Sequence, residues 1–163
     1  MRIRGTDFSG LSGEILTRGH TLRFQALGSS MIPIIWGGQV IEVAPAPVEV
    51  LREGDVIFYR RGGETLVAHR LMGKSMVQGR MMLAAKGDCH PASATEQVSP
   101  EQVLGRVVSV EWRPGWTLRL DSGPGRLLGR LLAYISPFLL LAYKLARPGA
   151  EGLGRFFSFL TPH

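Results

Sequence analysis

The feature that most constrains the fold is a series of short apolar segments, separated about every ten residues by glycine, proline or aspartate. In TLRFQALG apolar and polar residues alternate, which is typical of a half-buried strand. Similar segments follow as QVIEVAPAP, GDVIFYRR, ETLVAHRLMG, RMMLAAKGD and QVLGRVVSVEWR. We therefore expect a mainly β, barrel-like or sandwich-like body from about residue 20 to residue 120.

A short helix is predicted ahead of the strands. In residues 7–19 the apolar side chains of Phe8, Leu11, Ile15 and Leu16 lie roughly on one helical face, and Gly19 stops the pattern. A chain of 163 residues accommodates one such domain, here residues 1–120, together with an appendage.

The appendage is predicted from a change in character after residue 120. Glycine and proline mark residues 121–126 as a linker, and residues 127–163 are rich in leucine and read as helical. Their basic residues fall on one stripe, which suits a helix lying in a membrane interface. The alternative is a C-terminal helix that folds back on the β body.

The most apolar part of this appendage is short for a membrane span. Leu131 to Tyr143 carries no charge, but as a helix it extends about 20 Å, less than the ~30 Å hydrocarbon core. Residues 127–146 reach spanning length only if Arg130 and Lys144 extend their charges to the interface. We expect contact with a membrane through residues 127–146.

Charge and cysteine content limit the function classes. The net charge of +6 favours acidic partners, either nucleic acid or anionic lipid. The single cysteine, Cys89, excludes an internal disulfide and a cysteine-based zinc site, and no metal or cofactor is expected.

The N-terminus does not have the pattern of a signal peptide. Asp7 and Glu14 interrupt its basic residues, so no signal peptide is expected. Membrane association is predicted with its side left open, and a cytoplasmic or peripheral location agrees equally well with the sequence.

Two residues have the chemistry of a nucleophile and its base. Ser30 lies in LGSSMIPII, where adjacent hydroxyls interrupt an apolar segment, and a serine needs a base to become nucleophilic. His69 shares one predicted strand face with Val67 and Leu71, and an imidazole with a pKa near ~6.5 is suited to that task. Taken alone, a histidine on an apolar strand is more often structural.

The order of five motifs adds a family resemblance. Ser30-Met31-Ile32-Pro33 is followed by segments at residues 52–60, 66–72, 84–91 and 103–110, which read REGDVIFYR, LVAHRLM, AAKGDCHP and VLGRVVSV. In this order they resemble signal peptidase I and the repressor-type self-cleaving serine peptidases, over residues 22–112. The resemblance implies the catalytic β body of that superfamily and cleavage of an extended peptide with small residues beside the scissile bond.

The resemblance also implies roles for individual residues. His69-Arg70 is similar to the endoplasmic-reticulum, archaeal and sporulating-bacterial branch, in which histidine replaces the lysine of other members. It implies Ser30 as nucleophile, His69 as general base and Asp88 as the acid that accepts the second imidazole N–H. For Asp88 the alternative is a turn residue after Gly87.

This chain departs from the family at two positions. A further aspartate usually follows the first by about six residues, and Ala94 stands there. A hydroxyl two residues before the nucleophile usually helps to bind the oxyanion, and here that residue is Gly28, which leaves Ser29 or backbone N–H groups as donors. We expect Met31 and Ile32 to line the peptide-binding cleft.

Other functions remain open on the sequence alone. A thiol nucleophile at Cys89 with His90 is disfavoured because adjacent strand residues point to opposite faces. A dedicated peptide-maturation enzyme, a self-processing peptidase, and a catalytically weak basic β-barrel at a membrane or nucleic acid are the alternatives. Nucleic acid is the less expected partner, because no base-stacking array is formed by the aromatic residues Phe58, Tyr59, Trp112 and Trp116.

Overall fold

The computed structural model describes residues 5–63, 65–129, 131 and 134–135. An N-terminal helix, α1, precedes the strands and spans Gly5–Thr17. The strands are β1 (Leu22–Gln25), β2 (Val40–Ala44), β3 (Val56–Arg61), β4 (Thr65–Val77), β5 (Arg80–Lys86), β6 (Glu96–Val98), β7 (Val103–Arg113) and β8 (Trp116–Arg119). Single 3-10 turns occur at Val48–Val50, Ala92–Ala94 and Pro100–Gln102.

The strands that the structure describes form one antiparallel sheet in the order β1-β2-β7-β3-β4-β5-β6, with β8 also paired to β7. Register shifts interrupt the ladders within β2, β3, β4 and β7. Such bulges bend a strand and increase its twist, and the sheet curls into a half-barrel. The mainly β body predicted from the sequence is thereby confirmed.

The core is divided between the two sides of β3. Val56 and Phe58 point into one apolar cluster, with residues of β2, β7 and the 31–35 turn. Ile57 and Tyr59 point into a second cluster, with residues of β4, β5 and β6. Because the first four residues of β3 are covered on both faces, residues 56–59 form a continuous apolar run, and only the two arginines at the end of the strand are less buried.

Helix α1 packs on the sheet largely through Leu16, which is 2% exposed, whereas Leu11 on the predicted apolar face is 47% exposed. The helix ends near the predicted residue. Gly19 adopts a left-handed φ of +84°, and its N–H binds the Leu16 carbonyl at 3.0 Å. A glycine allows this closing turn without strain.

A second helical segment covers residues 123–129 and begins inside the segment predicted as a linker. Its start follows from an N-cap, since the Ser122 hydroxyl accepts the Gly125 N–H at 3.1 Å. Arg126 lies 3.6 Å from Asp55 and ties this helix to the body. Most of the predicted appendage, residues 127–163, falls outside the described residues. Among the residues that the structure describes, no helix is long and apolar enough to cross a membrane.

Candidate active site

Ser30 lies in a turn that the core and a neighbouring loop hold in place. Met31 is 3% exposed and packs into the first apolar cluster, while its carbonyl accepts the N–H groups of Ile34 and Ile35. On the other side, the Ser30 carbonyl accepts the Cys89 N–H at 3.0 Å. The half-buried Ser30 is therefore anchored by its own turn and by the loop after β5.

Gly87 brings Ser30 and His90 side by side. A Cβ atom at position 87 would lie 2.8 Å from the Ser30 carbonyl oxygen, 3.1 Å from Ser30 Cβ and 2.7 Å from His90 Nδ1. No side chain fits this space, which explains the glycine. The Ser30 side chain and the His90 ring consequently border the same small volume.

His69 is held by a carboxylate and a phenol on one of its ring nitrogens. It pairs with Ile57 across β3 and is 3% exposed. Its Nδ1 lies 2.8 Å from Glu96 Oε1 and 3.1 Å from the Tyr59 hydroxyl. A carboxylate only accepts hydrogen bonds, so we assign the neutral-state proton to Nδ1, which leaves Nε2 as the acceptor.

Glu96 stays ionised in this setting. Burial raises the pKa of its carboxyl, but hydrogen bonds from Arg61, Tyr59 and His69 outweigh burial and lower that pKa to about 2. Arg61 donates through Nε at 2.8 Å and through Nη2 at 2.5 Å, and the Tyr59 hydroxyl donates as well. The negative charge beside His69 is thus available across the neutral pH range.

His69 is neutral at neutral pH despite this charge. Burial lowers the pKa of the imidazole below its usual range, and the contact with Glu96 offsets that effect only in part. A neutral imidazole with a free Nε2 is the form that accepts a proton. The cluster of His69, Glu96, Tyr59 and Arg61 therefore has the electrostatics of a general base.

His90 is a second imidazole at the same place. Its ring centroid lies 6.0 Å from that of His69, with the two rings nearly perpendicular. Burial lowers its pKa, as do the charges of Arg61 and Lys86. Lys86 is itself 2% exposed and donates to the His90 carbonyl at 3.0 Å.

Asp88 does not make the contact predicted for it. Both of its oxygens bind Arg70, at 2.7 Å from Nε and 2.5 Å from Nη2, and both side chains are buried. The reason is strand geometry: His69 and Arg70 are adjacent in β4 and point to opposite faces. Lys86 pairs with Arg70 across the two strands, and Asp88 lies two residues after Lys86. The Asp88 side chain therefore lies on the face of the sheet to which Arg70 points. Glu96 makes the imidazole contact instead.

The residues predicted to bind the oxyanion or to contact the substrate all lie in the turn that contains Ser30. Gly28 has a left-handed φ of +96°, a conformation in which a residue with a side chain is strained, so this backbone favours glycine over the hydroxyl of relatives. Ser29 is half-buried, and its carbonyl accepts the Cys89 thiol at 3.3 Å. Met31 is in the core, which leaves Ile32, half-buried beside it, as the more accessible of the two predicted cleft residues.

The structure gives no support to the rival thiol nucleophile. Cys89 and His90 lie in a turn, where neighbours can meet, but the Cys89 thiol is directed to the Ser29 carbonyl. Burial raises the pKa of this thiol, which disfavours the reactive thiolate. Within the described ranges no three histidine, cysteine or acidic side chains come together in a way that could hold a metal ion.

Glu96, Tyr59 and Arg61 were not among the predicted site residues, and His90 was considered only as a base for Cys89. One signal was present for Glu96, because it is the first acidic residue after Asp88, close to the position where the family carries its second aspartate. No comparable signal existed for His90. Its place beside Ser30 depends on the turn after β5 and on the absence of a side chain at Gly87.

Comparison with known proteins gives one partial match. The chain is similar to signal peptidase I W of Bacillus subtilis (strain 168), with 33% identity over 92 residues, which are 56% of this chain and 48% of the relative. The chain thus spans about half the length of the curated relative it matches, and no family model matches it. The similarity supports a signal peptidase-like hydrolase.

Proposed function

We propose that this protein is a serine endopeptidase of the signal peptidase type, with Ser30 as nucleophile and His69 as general base. The observation that carries the proposal is the buried, neutral His69, whose Nδ1 is bound by the ionised Glu96. Its ring centroid lies 6.0 Å from that of His90, which borders the same space over Gly87 as Ser30. A nucleophile, a base and an acid that orients the base are the three parts of such a site. The family resemblance points to Ser30 as the nucleophile, and the contact with His69 supports Glu96 as the acid that orients the base.

The chemistry follows from these positions. The Ser30 Oγ attacks the peptide carbonyl carbon while its proton passes to imidazole, and Glu96 stabilises the imidazolium through Nδ1–H. The negative oxygen of the tetrahedral intermediate is bound by the Ser30 backbone N–H, with the Ser29 hydroxyl as second donor. The leaving amine takes the proton, and water then hydrolyses the acyl-enzyme by the same base.

Arg61 and Tyr59 have supporting roles in this scheme. Both donate hydrogen bonds to Glu96 and so fix the carboxylate against His69. The Arg61 charge also opposes protonation of His69, which keeps the base neutral. They act through Glu96 and His69 rather than on the substrate.

The substrate class is an extended peptide with small side chains next to the scissile bond. Its support is the name of the matched relative, a signal peptidase, together with the accessible Ile32 beside the nucleophile. An enzyme that matures one dedicated precursor peptide has the same requirements. Cleavage of a panel of peptides distinguishes the two, since a dedicated enzyme cuts one sequence and a general signal peptidase cuts many.

A membrane surface is the proposed location of this activity. Three apolar side chains after residue 126 lie exposed, namely Leu127 at 61%, Leu131 at 50% and Tyr134 at 64%. The body is basic overall, which favours an anionic lipid surface. Both features fit a helix that lies in the interface.

Two substitutions test the catalytic pair. Ser30→Ala removes the attacking oxygen and His69→Ala removes the base, so each should lower the kcat/KM for an Ala-x-Ala peptide by about 10³-fold or more. Ser75→Ala and His20→Asn are matched controls, because both residues are exposed. Cleavage that persists near the wild-type rate in either active-site variant would overturn the pair.

A further inference from the structure

We infer that His90 is a further catalytic residue, which receives the Ser30 proton and passes it to His69. This inference rests on the proposed function, because it concerns the path of the proton that Ser30 must lose. It assigns a role to a residue that the resemblance does not assign, in the loop between β5 and the Ala92–Ala94 turn.

The first support is the position of His90 relative to Ser30. Both reach the space above Gly87, where a Cβ atom would contact His90 Nδ1 at 2.7 Å and Ser30 Cβ at 3.1 Å. The ring nitrogen and the serine side chain are therefore neighbours on one side of that glycine.

The second support is the position of His90 relative to His69. The two ring centroids are 6.0 Å apart with an interplanar angle of 87°. Among the described residues, no hydrogen bond joins the Ser30 hydroxyl to either imidazole, and the Nδ1 atom of His69 is bound by Glu96. His90 borders both groups, and it is the imidazole that neighbours the serine across Gly87.

The loop fixes His90 by its backbone. The His90 N–H binds the Gly87 carbonyl at 3.0 Å, and the His90 carbonyl accepts Lys86 Nζ at 3.0 Å. The adjacent Cys89 N–H binds the Ser30 carbonyl, also at 3.0 Å. Ser30 and His90 are thus joined through one short hydrogen-bonded loop, which limits their relative movement.

The charges around His90 favour its neutral imidazole, the form that can accept a proton from Ser30. Arg61 and Lys86 lower its pKa, in addition to burial, whereas Glu96 raises it. The remaining titratable groups at this place are Tyr59, Asp88 and Cys89, besides His69 itself. Asp88 is paired with Arg70, and the pKa of Tyr59 is raised by burial and by Glu96, so its phenol stays protonated near neutral pH.

The proposed step is a double proton transfer, from Ser30 to His90 and from His90 to His69. As the Ser30 Oγ forms its bond to the carbonyl carbon, its proton moves to His90 Nδ1. The proton on His90 Nε2 moves to His69 Nε2, and the carbonyl π electrons move to oxygen. When the C–N bond breaks, the amine takes a proton from His90 Nδ1, and His69 returns its Nε2 proton to His90.

Serine reactivity tests the inference without a known substrate. A fluorophosphonate labels an activated serine, and in His90→Asn the second-order labelling rate of Ser30 should fall about 10²-fold. Added imidazole should restore part of that rate, since it replaces the missing base in the space that the smaller side chain leaves. His20→Asn is the matched control and should label at the wild-type rate. Labelling of His90→Asn within threefold of wild type would overturn the inference.

A measurement that leaves His90 unchanged tests its contact with His69. In the NMR titration of the histidine rings, His69→Gln should raise the pKa of His90 by about 0.3 unit or more, because it removes a neighbouring titrating charge, and leave His20 unchanged. An unchanged His90 pKa would overturn the inference even if His90→Asn does not fold. Failure of the proposed function is a different result, in which wild-type Ser30 is neither labelled nor able to cleave peptide.

Discussion

At the scale of single residues, Glu96 is the side chain that defines the character of the site. It holds His69 Nδ1 at 2.8 Å and is held in turn by Arg61 and Tyr59. This arrangement gives the imidazole one fixed orientation and one fixed tautomer. The buried imidazole therefore has a carboxylate partner, although alanine stands at position 94, where an aspartate was expected.

Glu96→Gln should lower kcat and also shift the pH profile. The carboxylate stabilises the imidazolium, so its loss should reduce kcat by about 10²-fold or more. Glu96 raises the pKa of His69, and without it that pKa falls further. The base is lost as pH falls through the His69 pKa, so the acid limb of kcat/KM should move to lower pH. A pH–rate profile of the variant measures this shift.

The exposed Glu49→Gln is the control for the Glu96 experiment and should leave both kcat and the acid limb unchanged. An acid limb that stays in place, or moves to higher pH, in Glu96→Gln would show that Glu96 does not act on the catalytic imidazole.

At the scale of elements, β4 separates His69, the proposed base, from a buried ion pair. His69 points to the cluster with Tyr59 and Leu71, and Arg70 points to the other face, where it binds Asp88 and the Gly54 carbonyl. Arg70 and Asp88 are each 1% exposed. Their role is to hold the loop after β5 against the body rather than to contact the imidazole.

Asp88→Asn should therefore affect stability more than the chemistry of His69. It leaves Arg70 as a buried charge without its carboxylate, a change that typically costs about 3–5 kcal/mol. Urea unfolding should show this loss, whereas the pKa of His69, measured by NMR in the folded fraction, should stay at the wild-type value.

The surface pair of Arg119 and Asp121 provides the matched control, and Asp121→Asn should change the free energy of unfolding far less. A His69 pKa that falls in Asp88→Asn, with stability unchanged, would instead favour the triad role first expected for Asp88.

At the scale of the whole molecule, the curled sheet and the C-terminal helix define two surfaces. The bulges in β4 and β7 bend the sheet so that its β5–β6 end and the turn with Ser30 approach each other. The helix of residues 123–129 is attached through Arg126 to Asp55, and Gly129 lies against Arg70. The exposed side chains of Leu127 and Leu128 in this helix belong to the surface that is proposed to contact a membrane.

Vesicle flotation of the full chain tests that surface. Binding to vesicles of phosphatidylglycerol and phosphatidylcholine should fall at least about tenfold when three exposed apolar residues at positions 127–135 become glutamine, because each leucine-sized side chain contributes about 1.5–3 kcal/mol on burial. The substitutions are Leu127→Gln, Leu131→Gln and Ile135→Gln.

The matched control changes exposed apolar residues at the far end of the β4–β5 hairpin, namely Met76→Gln, Val77→Gln and Met81→Gln. It should bind vesicles as the unchanged protein does. Equal binding by both triple variants would contradict a membrane role for the C-terminal helix.

The local features of this protein could be predicted from the amino-acid pattern alone. Alternating apolar residues and turn-forming glycines predicted the strands, and the order of the motifs singled out Ser30 and His69. Which acidic side chain contacts His69 follows only from the folded chain, because Glu96 and His69 are 27 positions apart and meet through the pairing of β4, β5 and β6. The same is true of Asp88 with Arg70 and of His90 with Ser30. Strand patterns follow from each residue and its neighbours, whereas these contacts depend on sheet register and on which face of a strand each side chain takes.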